Sequence, residues 1–107
     1  MQNVLKLAAA LLLFICTQAH ACDKAAAGET LLMMQEFSTA KVAGDGLEVR
    51  WSKKMDGQSK VSLLKMTTTY ANMDACLTGG ARHISFYNRK GRLVGTASPT
   101  VGIRLVD

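Results

Sequence analysis

The sequence LEVRWS, residues 47–52, alternates apolar and polar side chains without interruption. This period of two is typical of a strand with one face on a core and the other face in water. The segment 59–77 has a different period, because apolar side chains recur there at spacings of three and four: Leu63, Met66, Tyr70, Met73 and Leu77. That spacing predicts an amphipathic helix. Ser59 can cap its start, and Gly79-Gly80 can end it.

A second interpretation of residues 59–77 stays open. Asp56-Gly57 has the composition of a hairpin turn, and Thr67-Thr68-Thr69-Tyr70 is rich in residues that favour strands. The helical period extends over the whole segment, and we therefore expect a helix.

Upstream of the strand, good helix formers predominate between Asp23 and Val42. We expect a first helix there, ended by Gly44-Asp45-Gly46. On a helical projection, several apolar residues fall on one broad side, as in an amphipathic helix: Ala26, Leu31, Met33, Met34 and Phe37.

Downstream, two alternating segments flank the turn Asn88-Arg89-Lys90-Gly91. Residues 83–87 and 93–97 therefore form a predicted hairpin. Pro99 breaks the chain, and residues 101–105 alternate again as a last, edge strand. The expected fold is α+β, in the order α-β-α-β-β-β. It is a small two-layer domain in which an antiparallel sheet of about four strands carries both helices on one face.

Residues 1–21 have the pattern of a cleavable secretory signal peptide. Lys6 supplies positive charge, and residues 7–16 form an apolar run that is shorter than the about 20 residues a membrane-spanning helix needs. Ala19 and Ala21 occupy the positions of an Ala-x-Ala cleavage site. We therefore expect a periplasmic or secreted protein whose mature part, residues 22–107, is a single domain.

The cysteines support this interpretation. Of the three cysteines, Cys16 would leave with the signal peptide, and Cys22 and Cys76 would remain as a pair in an oxidising compartment. We expect a disulfide between them, which would contribute about 4 kcal/mol on loop-entropy grounds to a domain that is small for its core. Two alternatives stay open. One is a reactive or metal-binding thiol pair, and the other is a lipoprotein in which Cys22 carries the lipid.

The charge balance favours anionic partners. The chain has 13 lysine and arginine residues against 8 aspartate and glutamate residues, a formal net charge of +5. Outside the cytosol, an acidic protein or an anionic envelope component is a better candidate than nucleic acid. The alternative is that the charge only keeps a small domain in solution.

The predicted hairpin carries the strongest indication of binding. Four basic residues, a histidine and a tyrosine surround its turn: Arg82, His83, Tyr87, Arg89, Lys90 and Arg92. Guanidinium groups bind carboxylates and phosphates, and arginine with tyrosine is favoured at protein interfaces. We therefore predict a partner-binding surface here. The alternative is a charged turn that only protects the sheet from aggregation.

We predict no catalytic site, no metal site and no cofactor. His83 is the only histidine after residue 21 and follows Arg82, and the carboxylates form no recognisable motif. Methionine is a ligand for copper(I), but most of the methionines fall on helical apolar stripes, where they fill a core. Met55 alone lacks that explanation.

The expected function is therefore that of a small exported protein that binds a partner without catalysis, of the inhibitor, immunity or secretion and envelope accessory type. The alternatives are a periplasmic copper-binding protein and a small secreted enzyme.

Intact-mass measurement of the purified native protein tests the signal peptide and the disulfide together. The chain is expected to begin at Cys22 and to gain the mass of one pair of hydrogen atoms on reduction. A lipid adduct on Cys22 would contradict the disulfide. A full-length chain with free thiols would contradict both expectations.

Overall fold

The computed structural model describes residues 22–106, and the predicted signal peptide lies outside them. Two helices are present, α1 (Lys24–Met34) and α2 (Lys60–Thr78). Five strands form one sheet: β1 (Ser38–Ala43), β2 (Gly46–Trp51), β3 (Ile84–Tyr87), β4 (Leu93–Ser98) and β5 (Gly102–Leu105). A short 3-10 helix, Lys53–Met55, follows β2.

The strands lie in the sheet in their chain order, β1-β2-β3-β4-β5. All neighbours are antiparallel except β2 and β3, which are parallel. A parallel pair needs a crossover connection, and α2 supplies it. The predicted α+β class with two helices on one face is confirmed. The sheet differs from the prediction in having a fifth strand and one parallel pair.

The fifth strand, β1, corrects the prediction of a helix over 23–42. After Met34 the chain leaves the helix through a tight turn, in which Phe37 N–H donates to the carbonyl of Met34 at 2.9 Å. Residues 38–43 then pair with β2 across the two-residue turn Gly44-Asp45. Gly44 adopts a φ of 60°, a left-handed conformation that suits this kind of hairpin. Tertiary pairing therefore overrides the moderate helix propensity of the segment.

The predicted helix over 59–77 is confirmed as α2, and the hairpin alternative is wrong. The Ser59 hydroxyl accepts a hydrogen bond from Ser62 N–H at 3.1 Å, as a helix cap does. At the other end Gly79 takes a φ of 86°, a value that favours glycine and ends the helix.

Three aromatic rings form the centre of the core. Trp51 of β2 stacks on Phe86 of β3 at 5.5 Å between ring centroids. Tyr70 of α2 meets both rings edge-on, at 6.3 Å and 5.8 Å. All three side chains are buried, and Met34 of α1 joins the same cluster. Both helices therefore pack on the sheet face that carries Trp51 and Phe86.

A disulfide holds the two helices together. Cys22, which precedes α1, bonds to Cys76 in the last turn of α2, with 5.8 Å between the Cα atoms. The predicted Cys22–Cys76 pairing is thus confirmed. Such a bond is compatible with an oxidising, extracytoplasmic location. Neither helix of residues 22–106 is long and apolar enough to cross a membrane.

Candidate partner-binding surface

The face of the sheet opposite the helices, here called the open face, carries rows of polar side chains. Alternation along β2 puts Leu47, Val49 and Trp51 on the core face, so Glu48 and Arg50 lie on the open face. The strand register then aligns two rows across the sheet. One row is Thr39, Arg50 and Tyr87, and the next is Lys41, Glu48, Ser85, Thr96 and Arg104.

These rows border an open groove of about 430 Å³, here called the basic groove. Its walls come from β1, β2, β3 and the turn after β3: Thr39, Ala40, Lys41, Glu48, Val49, Arg50, Tyr87 and Gly91. Lys41 and Glu48 form an exposed ion pair at 3.3 Å, an interaction worth little in water. Arg50 is exposed and makes no ion pair with any other described residue. The groove therefore keeps an unneutralised guanidinium beside a tyrosine.

The turn above the basic groove is held rigid by one asparagine. Asn88 Oδ1 accepts hydrogen bonds from the backbone N–H groups of Lys90 at 3.0 Å and Arg92 at 2.9 Å. Gly91 has a φ of 86°, and a Cβ built on it would lie 3.5 Å from Nη2 of Arg50. The Arg50 guanidinium thus lies directly against this turn.

The predicted hairpin residues do not all belong to the open face. Tyr87 borders the basic groove, whereas Lys90 is exposed and lines a different groove, on the helix side of the sheet. Arg89 points to the helix side, where its Nε donates to Asp56. The side chains of His83 and Arg92 are exposed.

Arg82 lies elsewhere and holds a buried carboxylate. Its Nε and Nη2 donate to the two oxygens of Asp74 at 2.9 Å and 2.8 Å. The Asp74 side chain is only 7% exposed, while that of Arg82 is 27% exposed. The hydrogen bond to Asp74 raises the pKa of Arg82 above its ordinary value. Arg82 is therefore mainly a structural residue.

The Asp74 carboxylate also affects Tyr70. Burial, followed by the charge of Asp74, raises the pKa of Tyr70, so its phenol stays neutral at pH 7.

Met55, the methionine without a packing role in the sequence, lies in the core. It is buried beside Trp51 in the central cluster, so core filling explains it. Met33 is the reverse case, because the helical pattern predicted it to face the core and its residue is 71% exposed. Among residues 22–106, no group of three or more histidine, cysteine, aspartate and glutamate side chains is placed to hold a metal ion.

Sequence reasoning missed Arg50 and Lys41. Arg50 was visible as a polar position of the LEVRWS strand, but its neighbours on the sheet depend on the parallel pairing with β3 and on the existence of β1. Lys41 was assigned to the first helix.

No family model, curated protein or solved structure matches this chain. Function is therefore inferred from the geometry of the described residues alone.

Replacing Arg82 tests whether it is structural or belongs to the binding surface. Arg82→Met is expected to lower the free energy of unfolding by about 3 kcal/mol, because the buried Asp74 carboxylate loses its partner. Adding Asp74→Leu should restore much of that loss, since the unpaired charge is then gone. Urea unfolding measures both changes. An Arg82→Met protein of unchanged stability would contradict the structural role.

Proposed function

We propose that this protein is a small exported binding protein, without catalytic activity, that binds an acidic protein partner at the basic groove and the adjoining Asn88–Gly91 turn. Inhibitor, immunity and secretion or envelope accessory proteins act in this way. The observation that carries the proposal is the exposed Arg50 guanidinium, which forms no ion pair within residues 22–106 and lies between Thr39 and Tyr87 on a face that neither helix covers.

Charge supports an acidic partner. Lys41 and Arg50 line the groove, and Glu48, the one carboxylate among its described lining residues, is paired with Lys41. An arginine that binds a carboxylate makes charge-assisted hydrogen bonds that are stronger than neutral ones. The excess of basic over acidic residues in the chain also speeds the approach of an acidic partner.

Side-chain type supports a protein partner. Tyr87 is half-buried and lies in register with Arg50, and tyrosine and arginine are enriched among the residues that carry most of the energy at protein interfaces. The hydrogen bonds of Asn88 fix the turn before any partner arrives, which reduces the entropy lost on binding. A periplasmic or secreted location is part of the proposal, and the disulfide supports it.

Charge reversal at Arg50 tests the proposal, with poly-L-glutamate as the acidic probe. Arg50→Glu is expected to weaken binding about tenfold or more at low salt, because it removes a charge-assisted contact and adds repulsion. Lys65→Glu is the matched control. Lys65 is exposed on α2, on the helix side of the sheet, and its reversal changes the net charge by the same amount.

Equal losses in the two variants would contradict a localised site, because net charge alone would then govern binding. Vesicles that contain phosphatidylglycerol distinguish the other anionic source. Binding to these vesicles without binding to poly-L-glutamate would contradict a protein partner and indicate a lipid surface.

A further inference from the structure

Strand β1 forms one edge of the sheet, and its backbone groups face outward at alternate residues. Ser52 N–H donates to the carbonyl of Phe37 at 2.7 Å, which places the hydrogen-bonded pairs of the β1–β2 ladder at odd-numbered residues of β1. Thr39 therefore bonds to Arg50, and Lys41 to Glu48. The N–H and C=O groups of Ala40 and Val42 point away from β2, towards an edge that no other described strand occupies.

Of the usual devices that protect an edge strand, β1 has only a charged side chain, Lys41. The sequence STAKVA of β1 contains no proline, and the register with β2 runs through all six residues without a bulge. Natural edge strands are commonly short, bulged, covered or rich in charge. Here Val42 is 72% exposed, although the register puts it on the same face as the buried Leu47.

Two grooves of different character meet at β1. The basic groove lies on the open face. On the other face lies a second groove of about 510 Å³, here called the helix-side groove, with walls from α1, α2 and β1: Leu31, Gln35, Ser38, Thr39, Ala40 and Tyr70. Thr39 and Ala40 border both grooves. A ligand that lies along the edge therefore meets basic side chains above the sheet. Below the sheet it meets the apolar side chains of Leu31 and Ala40 and the ring of Tyr70, with polar side chains beside them.

We infer that β1 accepts an extended strand of the acidic partner, antiparallel to itself, in which acidic side chains on the open face alternate with apolar side chains on the helix side. The inference rests on the proposed function and specifies the form of its partner. An added strand would lie about 4.8 Å from β1, and its alternate side chains would point to opposite faces. Backbone bonds to Ala40 and Val42 would supply affinity, and the two grooves would select the side chains.

Charge complementarity favours this occupant over a second copy of the chain. The side chains of β1 on the open face are Thr39, Lys41 and Ala43, so β1 of a second copy would bring another lysine towards Lys41 and Arg50. Like charges across neighbouring strands are destabilising. An acidic side chain in the same place would pair with Lys41. Thr39 lies opposite Arg50 on the edge strand and is short, so the Arg50 guanidinium stays accessible from the groove.

A synthetic peptide of about eight residues that alternates valine and glutamate is the probe, and a peptide with the same composition in two blocks is its control. The alternating peptide is expected to bind about tenfold more tightly, because only it matches both grooves while its backbone pairs. Ala40→Pro should remove this preference, since proline deletes an outward N–H that β2 does not use. Ala40→Ser keeps the N–H and should preserve binding.

Methyl groups on the peptide backbone give a second test that leaves the protein unchanged. Hydrogen-bonded partners in an antiparallel ladder share a face, so the residues that bond to Ala40 and Val42 are the valines on the helix side. N-methylation of the valines should abolish the preference, and N-methylation of the glutamates should preserve it. Loss on methylating the glutamates instead would overturn the antiparallel pairing.

Further outcomes separate this inference from the proposed function. If the alternating and block peptides bind equally and Arg50→Glu still weakens both, strand addition is overturned while acidic binding at the basic groove stands. If neither peptide binds and Arg50→Glu changes nothing, both proposals fail. A dimer in sedimentation that Ala40→Pro converts to monomer would show that a second copy occupies the edge, which also overturns the inference.

Discussion

The structure depends on the contact of Trp51, Phe86 and Tyr70, which fixes where the helices lie. The stacked pair Trp51–Phe86 joins β2 to β3, and Tyr70 brings α2 over this junction. The Cys22–Cys76 disulfide then ties the start of α1 to the end of α2. Helix α2 contacts β4 and β5 most closely, and the core face of β1 is left largely uncovered beyond Ser38. The contact of the three aromatic rings thus forms the core and leaves the edge strand β1 exposed.

Local patterns predicted the elements well where one period dominates. The alternation of LEVRWS corresponds to strand β2. The three-and-four spacing over 59–77 corresponds to helix α2. Strand β1 was missed because residues 38–43 have no strong period of their own and are held by pairing with β2 across Gly44-Asp45. The parallel pairing is equally non-local. It needs Gly46 as glycine, since a Cβ there would collide with the carbonyl oxygen of His83.

The candidate site was predicted only in part, because it too depends on pairing between residues that are distant in the sequence. Sequence shows that the hairpin is basic, but it does not show which cations have partners. Arg82 bonds to Asp74 eight residues earlier, and Arg89 to Asp56 thirty-three residues earlier. Arg50 has no such partner among the described residues and gains its position beside Tyr87 only when β2 and β3 pair. The sequence therefore centres the predicted surface on the turn, whereas the surface proposed from the structure is centred on the open face.

Amide hydrogen exchange in β1, measured residue by residue on the partner-free protein, tests the free edge most directly. We expect slow exchange at Thr39 and Lys41, whose N–H groups bond to β2, and fast exchange at Ala40 and Val42, whose N–H groups face solvent. The reverse pattern would contradict the orientation of β1. Slow exchange at all four residues would contradict an open edge.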